Sequence, residues 1–282
     1  MSKILDGRVR ASSLAAALSK KIQKSIPKDS PLSLVIFVCR PSDASQSYIA
    51  QKQTLAFRLG IQCNLVALPE DTKAAVKKIR ATLSRKKPDG ALLQLPLPKS
   101  LDAAALANVI PPQMDVDVLG STSIGAVAQG APIFTPPIVR SVLDLLAQTP
   151  MKIQGSHAVV VGAGPLVGKP AALAFMNAGA TVTICQKYTK NLAAQIKRAD
   201  IVLSGTGTAN LIRGRMIKKG AVVLDAGFSR HGGRVVGDIH TASVLPRVSA
   251  LSPVPGGIGP LTVYFLLANV FEARRAAQTA HY

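Results

Sequence analysis

His157-Ala158-Val159-Val160-Val161-Gly162-Ala163-Gly164-Pro165-Leu166-Val167-Gly168 is the stretch that decides the fold. His157 to Val161 is a short β-branched run that reads as a buried strand, and Leu166 to Ala178 has the apolar spacing of a helix. Gly162 and Gly164 lie directly after the strand, and Gly168 falls on the first turn of the helix. Glycines let a backbone bend tightly and approach a pyrophosphate, whose charge meets the positive end of the helix. The spacing is GxGxxxG rather than GxGxxG, and any tight strand-to-helix turn can collect glycines. The strand–helix–strand unit around it raises the motif above chance. It predicts a nicotinamide-dinucleotide-binding, Rossmann-type parallel sheet.

Downstream, Ala180 to Cys185 reads as the second strand of this unit. A site for NAD usually places Asp or Glu at that strand's end, on the ribose hydroxyls. Here the chain continues Gln186-Lys187-Tyr188-Thr189-Lys190, with no acid. Lys187 and Lys190 suit the 2′-phosphate of NADP, so NADP is favoured over NAD; two solvated loop lysines are the plainer alternative. Asn191 to Lys197 then reads as a helix, Ile201 to Ser204 and Ala221 to Asp225 as strands, and Leu261 to Ala277 as a final helix.

The same alternation occupies the first half. A helix begins near Ala11, Ser33 to Val38 is a strand, and Ala44 to Leu59 is a helix stopped by Gly60. Ile61 to Leu68 is a strand, Thr72 to Leu83 a helix and Gly90 to Gln94 a third buried strand. Pro96, Pro98, Pro111 and Pro112 punctuate a loop-rich region before a helix from Ile138 to Ala147. The fold class is α/β, with two α/β domains around a cleft. The first spans residues 1–138 and takes back 266–282; the second spans 139–265.

The 282 residues are 48% hydrophobic, enough for a sizeable core, yet contain no uncharged apolar run long enough to span a bilayer. Cys39, Cys63 and Cys185 are scattered, without CxxC spacing or companion histidines. They point to reduced thiols, a cytoplasmic location, and neither a disulfide framework nor a metal site. Lys and Arg number 34 against 14 Asp and Glu, a formal net charge of +20. That balance attracts polyanions: nucleotides, polyglutamylated ligands or nucleic acid. The basic opening, Met1 to Ile26, has the composition of a transit peptide, but it also reads as an amphipathic helix running into the first strand.

Four segments exceed what plain structure needs. Ser45 to Lys52 puts Tyr48 and Lys52 on one helical face at i, i+4. Gln94-Leu95-Pro96-Leu97-Pro98 closes a buried strand with a polar residue at its carboxyl end, where open α/β sheets gather ligands. Asp115-Val116-Asp117 lies in a loop of an acid-poor chain, and Pro253-Val254-Pro255-Gly256-Gly257-Ile258-Gly259-Pro260 is a rigid lead-in to the last helix. Together with Ile4-Leu5-Asp6-Gly7, the glycine turn, Thr189-Lys190-Asn191-Leu192 and Gly237-Asp238, they resemble the methylenetetrahydrofolate dehydrogenase/cyclohydrolase family, the bifunctional folate enzymes. The resemblance covers nearly the whole chain and reads Ile4 to Gly7 as the family's opening, which leaves no room for a transit peptide.

The resemblance implies an NADP-linked oxidation of 5,10-methylenetetrahydrofolate and hydrolysis of the methenyl product to 10-formyltetrahydrofolate. By carry-over, Lys52 is the main catalytic residue, Gln94 tunes it and Asp117 grips the pterin edge. Tyr48 stacks on the folate, Pro253, Gly256 and Gly257 complete the substrate site, and Gly162, Gly164, Val167, Gly168, Lys187 and Thr206 bind the cofactor. A homodimer is also implied. A desolvated lysine can drop its pKa and shuttle protons, and a carboxylate can accept two donors from an amino-pyrimidine edge.

The chain departs from the family near the folate site. Val118 stands where the family has the glycine of DVDG, Met114 where it has a lysine, and Thr54 at the second lysine of KxK. Cys39 or Arg40 takes a glycine position after the first strand. The family's PCTPxG run is reduced to Phe134-Thr135-Pro136-Pro137-Ile138, and its DVGIN segment reads Asp225-Ala226-Gly227-Phe228-Ser229. A valine forced into a left-handed conformation at 118 would cost ~1–2 kcal/mol. Two readings follow: an active enzyme with a diverged folate site, or a non-catalytic relative serving as a basic binding subunit, for example in a ribonucleoprotein. The retained Lys52 and Gln94 favour the enzyme.

Overall fold

Leu5 and Gly7 open the chain by docking onto its far end. In the computed structural model, which describes residues 2–231 and 234–279, β1 (Lys3–Ile4) pairs in parallel with β11 (Ala250–Ser252). The Gly7 amide donates to the Gly256 carbonyl at 2.8 Å, and a Cβ at Gly7 would lie 1.7 Å from the Gly257 oxygen. Only glycine admits that approach. The chain divides into two units accordingly. One takes the residues up to Ala11 together with Ile138–Thr262; the other takes Ser12–Pro137 together with the residues from Val263 on. The opening residues thus pack with the second half, whereas the sequence predicts 1–138 as one block. A two-residue strand whose partner lies some 250 positions away leaves no local pattern in the sequence. The division falls inside α1 (Gly7–Ser25) and α10 (Ile258–Thr279), so the returning segment starts near 263 rather than 266. Residues 280–282 of the predicted return lie outside the described residues.

The unit beginning at Ser12 is built on β2 (Ser33–Val38), β3 (Gln62–Ala67) and β4 (Gly90–Leu93), parallel in the order β3-β2-β4. The central strand SLVIFV is buried on both faces, which is why it reads as an unbroken apolar run. Helices α2 (Asp43–Arg58) and α3 (Thr72–Lys86) connect the strands, capped by Ser42 and Asp71, whose side chains accept from the Ser45 and Ala74 amides. The chain runs from β2 to β3 on one side and from β3 to β4 across it, a topological switch at the carboxyl end of β2. The proline-punctuated region contains α4 (Ala103–Ala107) and, beyond it, α5 (Ser121–Ala128), short helices with too few turns to show a period. Arg274 on α10 ties this unit together. Its guanidinium pairs with both Asp89 oxygens and donates to the Ser30 carbonyl at 3.1 Å, while Asp89 accepts from the Ser33 amide at 2.8 Å.

The other unit contains α6 (Pro137–Leu146) from Ile138 on and carries β5 (His157–Val161), α7 (Gly168–Asn177), β6 (Thr181–Cys185), α8 (Leu192–Ile196), β7 (Ile201–Ser204) and β8 (Val222–Asp225). With β1 and β11 these strands form a six-stranded parallel sheet in the order β1-β11-β8-β7-β5-β6. A small antiparallel pair, β9 (Ser229–His231) with β10 (Arg234–Val236), and the short helix α9 (Thr241–Val244) lie between β8 and β11. The predicted strands at 157–161 and 201–204 match in full. The switch point lies between β5 and β7, directly above the glycine turn.

The Arg274–Asp89 pair is mostly buried, 19% and 8% exposed, whereas Arg8–Asp6 is 67% and 32% exposed. Removing one partner of a buried pair strands the other charge, at up to ~3–5 kcal/mol, while water and salt screen an exposed pair almost completely. Arg274→Ala is therefore expected to lower the urea midpoint markedly and Arg8→Ala hardly at all. Equal effects in parallel unfolding curves would contradict this account.

Candidate functional site

In the second unit, the carboxyl ends of β6, β5 and β7 hold the predicted cofactor residues side by side. The Gly162 amide donates to the Cys185 carbonyl at 2.8 Å, joining the turn to the end of β6. A Cβ at Gly162, where φ is +106°, would lie 2.6 Å from the Gly205 oxygen beyond β7. Val167 packs on Gly205, since a Cβ there would meet the valine side chain at 2.7 Å. A Cβ at Gly168 would lie 1.8 Å from the Gly162 oxygen, so α7 can begin against the turn only with glycine at its first position. The helix therefore starts at Gly168, two residues later than predicted.

Gly164 differs from both. A Cβ built there meets no atom of the chain within 4 Å apart from its two neighbours, so the turn faces open space at this position. That is the cradle a pyrophosphate needs beside the N-terminus of α7. Lys187 lies on the exposed turn after β6, its ammonium 5.9 Å from the Tyr188 ring centroid. The residues present thus fit a dinucleotide with a phosphorylated ribose.

Thr206 sits in the turn after β7, and its amide donates to Asp238 Oδ2 at 2.6 Å. Asp238 also accepts from Ser204 Oγ at 2.7 Å and from the Thr208 amide at 2.9 Å. Asp225, at the end of β8, accepts from the amides of Gly227, Asp238 and Ile239 at 2.9–3.1 Å, and burial pushes it up to about 6. Gly237-Asp238 and Asp225 enter the sequence reading only as family landmarks. The signal the sequence offers is rarity, two acids in a chain with 14 Asp and Glu against 34 Lys and Arg; their burial comes from the fold.

Pro253, Gly256 and Gly257 follow β11. Gly256 has φ +104° and lies against the Arg8 guanidinium; Gly257 is closed in by Ser252 Oγ and the Pro253 carbonyl. The Val254-Pro255 bond is cis, as is Leu95-Pro96.

The first unit gathers the other predicted group. Tyr48 and Lys52 lie one turn apart on α2, Lys52 with only 9% of its surface exposed. Lys52 Nζ donates to Gln94 Oε1 at 2.9 Å. Gln94 follows β4; its amide donates to the Phe37 carbonyl and its Nε2 to the Leu95 carbonyl, both at 2.9 Å, which leaves Oε1 turned to the lysine. Burial lowers the lysine's pKa, opposed by the nearby Asp117 and Cys63; burial raises that of Asp117, opposed by Lys52 and reinforced by Asp115. Each group is thus driven toward its neutral form, and the hydroxyl of half-buried Tyr48 is likewise pushed up by burial.

Asp115 and Asn269 hold this arrangement, and sequence reading missed Asn269. Asp115 accepts from the Leu119 and Gly120 amides at 3.1 and 2.8 Å. Asn269, fully buried on α10, donates to the Val116 and Thr135 carbonyls at 2.9 and 3.2 Å, tying the DVD loop to the FTPP run. A lone Asn inside the apolar stretch Phe265-Leu266-Leu267-Ala268-Asn269-Val270-Phe271 is the cue that could have found it.

The departures now have geometry. Val118 has φ +60° and Arg40 φ +42°, so both stand at left-handed positions that favour glycine. Val118 is only 3% exposed. Burying its side chain contributes ~1.5–3 kcal/mol, which offsets the ~1–2 kcal/mol of the left-handed backbone. Arg40 is exposed and gains only a surface ion pair with Glu70. Met114 is partly buried against the core cluster that includes Phe37, Ile79, Leu93 and Leu106.

A parallel sheet with an open glycine cradle at its switch point, in a chain whose other unit buries a lysine against a glutamine, defines a dinucleotide-dependent α/β enzyme. Known proteins narrow the class. The model of the tetrahydrofolate dehydrogenase/cyclohydrolase catalytic domain matches residues 5–117, and that of the family's NAD(P)-binding domain matches residues 136–278. The bifunctional protein FolD of Exiguobacterium sibiricum is 35% identical over 280 residues, 98% of this chain and 100% of that one. The crystal structure of the FolD methylenetetrahydrofolate dehydrogenase/cyclohydrolase of Campylobacter jejuni aligns with TM-score 0.92 at 32% identity, covering 98% of this chain and 100% of that one. The Trypanosoma brucei enzyme, complexed with NADP cofactor and inhibitor, aligns with TM-score 0.90 at 30% identity and 98% coverage of each chain. The chain belongs to the tetrahydrofolate dehydrogenase/cyclohydrolase family.

Two glycine substitutions separate cradle from scaffold. Gly164→Ala is expected to leave the melting temperature unchanged and weaken NADP binding at least tenfold by calorimetry, because its methyl enters only the cradle. Gly168→Ala is expected to lower the melting temperature strongly, because its methyl meets the Gly162 carbonyl. Unchanged NADP affinity in Gly164→Ala would remove the cradle from the site.

Proposed function

We propose that this chain oxidises 5,10-methylenetetrahydrofolate with NADP and hydrolyses the methenyl product to 10-formyltetrahydrofolate, with Lys52 as proton shuttle. The observation that carries this is the buried Lys52–Gln94 hydrogen bond, which survives although several family residues around it are replaced. In the hydrolysis, water adds to the methenyl carbon, losing a proton to the neutral Lys52 amine. The new hydroxyl then loses its proton to solvent as the formyl C=O forms, the bond from that carbon to N5 breaks, and N5 takes the proton held by the Lys52 ammonium, for a net release of one proton. Burial keeps the amine available as a base, Gln94 Oε1 receives its N–H and holds it in place, and Asp117 offers its carboxyl group to the amino-pyrimidine edge. Tyr48 offers a ring one turn away for stacking, and Pro253, Gly256 and Gly257 complete the substrate-binding set.

NADP, when bound, supplies the hydride acceptor. We assign Gly162, Gly164, Val167 and Gly168 to its pyrophosphate turn, Thr206 to the turn beside it and Lys187 to the 2′-phosphate. The missing acid after β6 supports NADP over NAD. The diffuse +20 charge adds an attraction for this polyanion and for a polyglutamylated folate.

A homodimer is the assembly we favour. Its support is β6, which lies at one end of the six-stranded order, with Met176, Ile184 and Tyr188 on and beside it 54%, 47% and 82% exposed. The three free cysteines support a cytoplasmic setting. Among the described residues no helix is long and apolar enough to cross a membrane.

Lys52→Met is expected to cut methenyltetrahydrofolate hydrolysis ~10²–10⁴-fold while leaving NADP affinity as in the wild type. In the wild type, hydrolysis should rise with pH and level off below the ordinary lysine value of 10.5, because burial lowers the lysine's pKa and the neutral amine is the active form. Hydrolysis in the variant at the wild-type rate, followed at the methenyl absorbance, would exclude Lys52.

A further inference from the structure

We propose that Asp238 is a positioning residue for the dinucleotide, holding the turn after β7 in the shape that receives the cofactor's neutral half, with Asp225 as its support. Asp238 makes its side-chain hydrogen bonds to the turn after β7 and not to the glycine turn. Its Oδ2 accepts from Ser204 Oγ and the Thr206 amide, and its Oδ1 from the Thr208 amide. One fully buried carboxylate thus organises the whole segment from Ser204 to Thr208.

Asp238 is itself fastened from below. Asp225 Oδ1 accepts from the Asp238 amide and Oδ2 from the Ile239 amide. Two glycines let the carboxylates come this close: a Cβ at Gly227 would lie 2.2 Å from Asp238 Oδ1, and one at Gly237 would lie 2.0 Å from Asp225 Oδ2. Two adjacent buried acids are expensive in any fold, and more conspicuous in a chain with 14 acids against 34 bases. Five of these six donors are backbone amides, and three of those lie in the turns at the carboxyl ends of β7 and β8, the end of the sheet where the glycine cradle lies.

The bonding also sets the polarity of the turn. With the Thr206 and Thr208 amides engaged by Asp238, neither is left to bind an anion. The Thr206 hydroxyl accepts from the Thr208 amide at 3.1 Å and keeps its own proton to donate. Backbone carbonyls and threonine hydroxyls suit ribose hydroxyls and a carboxamide, whereas the amides and helix end at Gly164 suit phosphate. Asp238 thereby distinguishes the two neighbouring turns: the one after β5 for the charged part of the cofactor, the one after β7 for its uncharged part.

This inference rests on the assignment of NADP to the glycine cradle, and the experiment keeps the two apart. Asp238→Asn retains the shape but presents an NH2 group to at least one inward-pointing donor. NADP affinity by calorimetry, the NADP KM and kcat of the dehydrogenase, and the NADP-independent hydrolysis of methenyltetrahydrofolate are measured for this variant, for Ser204→Ala and for Gly164→Ala. The expected result is at least a tenfold loss of NADP affinity in Asp238→Asn, seen in KM more than in kcat, with hydrolysis within twofold of wild type. Ser204→Ala, lacking one donor, shows a smaller loss in the same direction. Wild-type NADP affinity in Asp238→Asn beside a loss in Gly164→Ala overturns the proposal alone. Wild-type affinity in both overturns the cofactor assignment and the proposal with it. Parallel loss of both activities in a folded Asp238→Asn reduces Asp238 to a structural residue and also overturns it. If Asp238→Asn fails to fold, Ser204→Ala decides, and unchanged NADP affinity there overturns the proposal.

Discussion

When a parallel strand ends and the chain turns, the next amides have left the ladder, and each one buried without a partner costs about 1–3 kcal/mol. In this protein side-chain oxygens meet many of those amides. Asp225 and Asp238 receive the turns after β8 and β7, and Asp115 receives the loop that follows Asp117. The carboxylates need the amides as much as the amides need them, because a buried charge without hydrogen bonds would take up a proton instead. Asp225, with a pKa raised to about 6, is near that limit.

Close backbone approach is the second condition, and it explains which glycines are scaffold. Gly7 against Gly257, Gly168 against Gly162 and Gly227 against Asp238 leave no room for a methyl group. Gly164, by contrast, borders open space. A glycine motif therefore mixes positions closed in by the chain with a position that faces open space, and spacing alone treats them alike.

The departures around the folate site show how such a framework absorbs change. Val118 keeps the left-handed backbone of a glycine and offsets its cost by burial, while Met114 turns a family lysine position into core contact. Neither disturbs Lys52 and Gln94, because that pair is held from other elements: the lysine by α2, the glutamine by its backbone bond to Phe37 and its side-chain bond to Leu95.

Local pattern determined much of this protein. The apolar runs at 33–38, 157–161 and 201–204, the stop at Gly60 and the glycine turn follow from neighbours in sequence, since strands, helices and tight turns are built from adjacent residues. Tyr48, Lys52, Gln94 and Asp117 were legible as unusual residue types in order, not as a geometry. Only the tertiary structure decided that Leu5 and Gly7 dock beside β11, that Asn269 grips the loop at Val116, and that Asp238 organises Thr206. These contacts join residues from about 30 to about 250 positions apart. Their partners are backbone groups, identical in every residue, so no side-chain pattern could name them before the chain was folded.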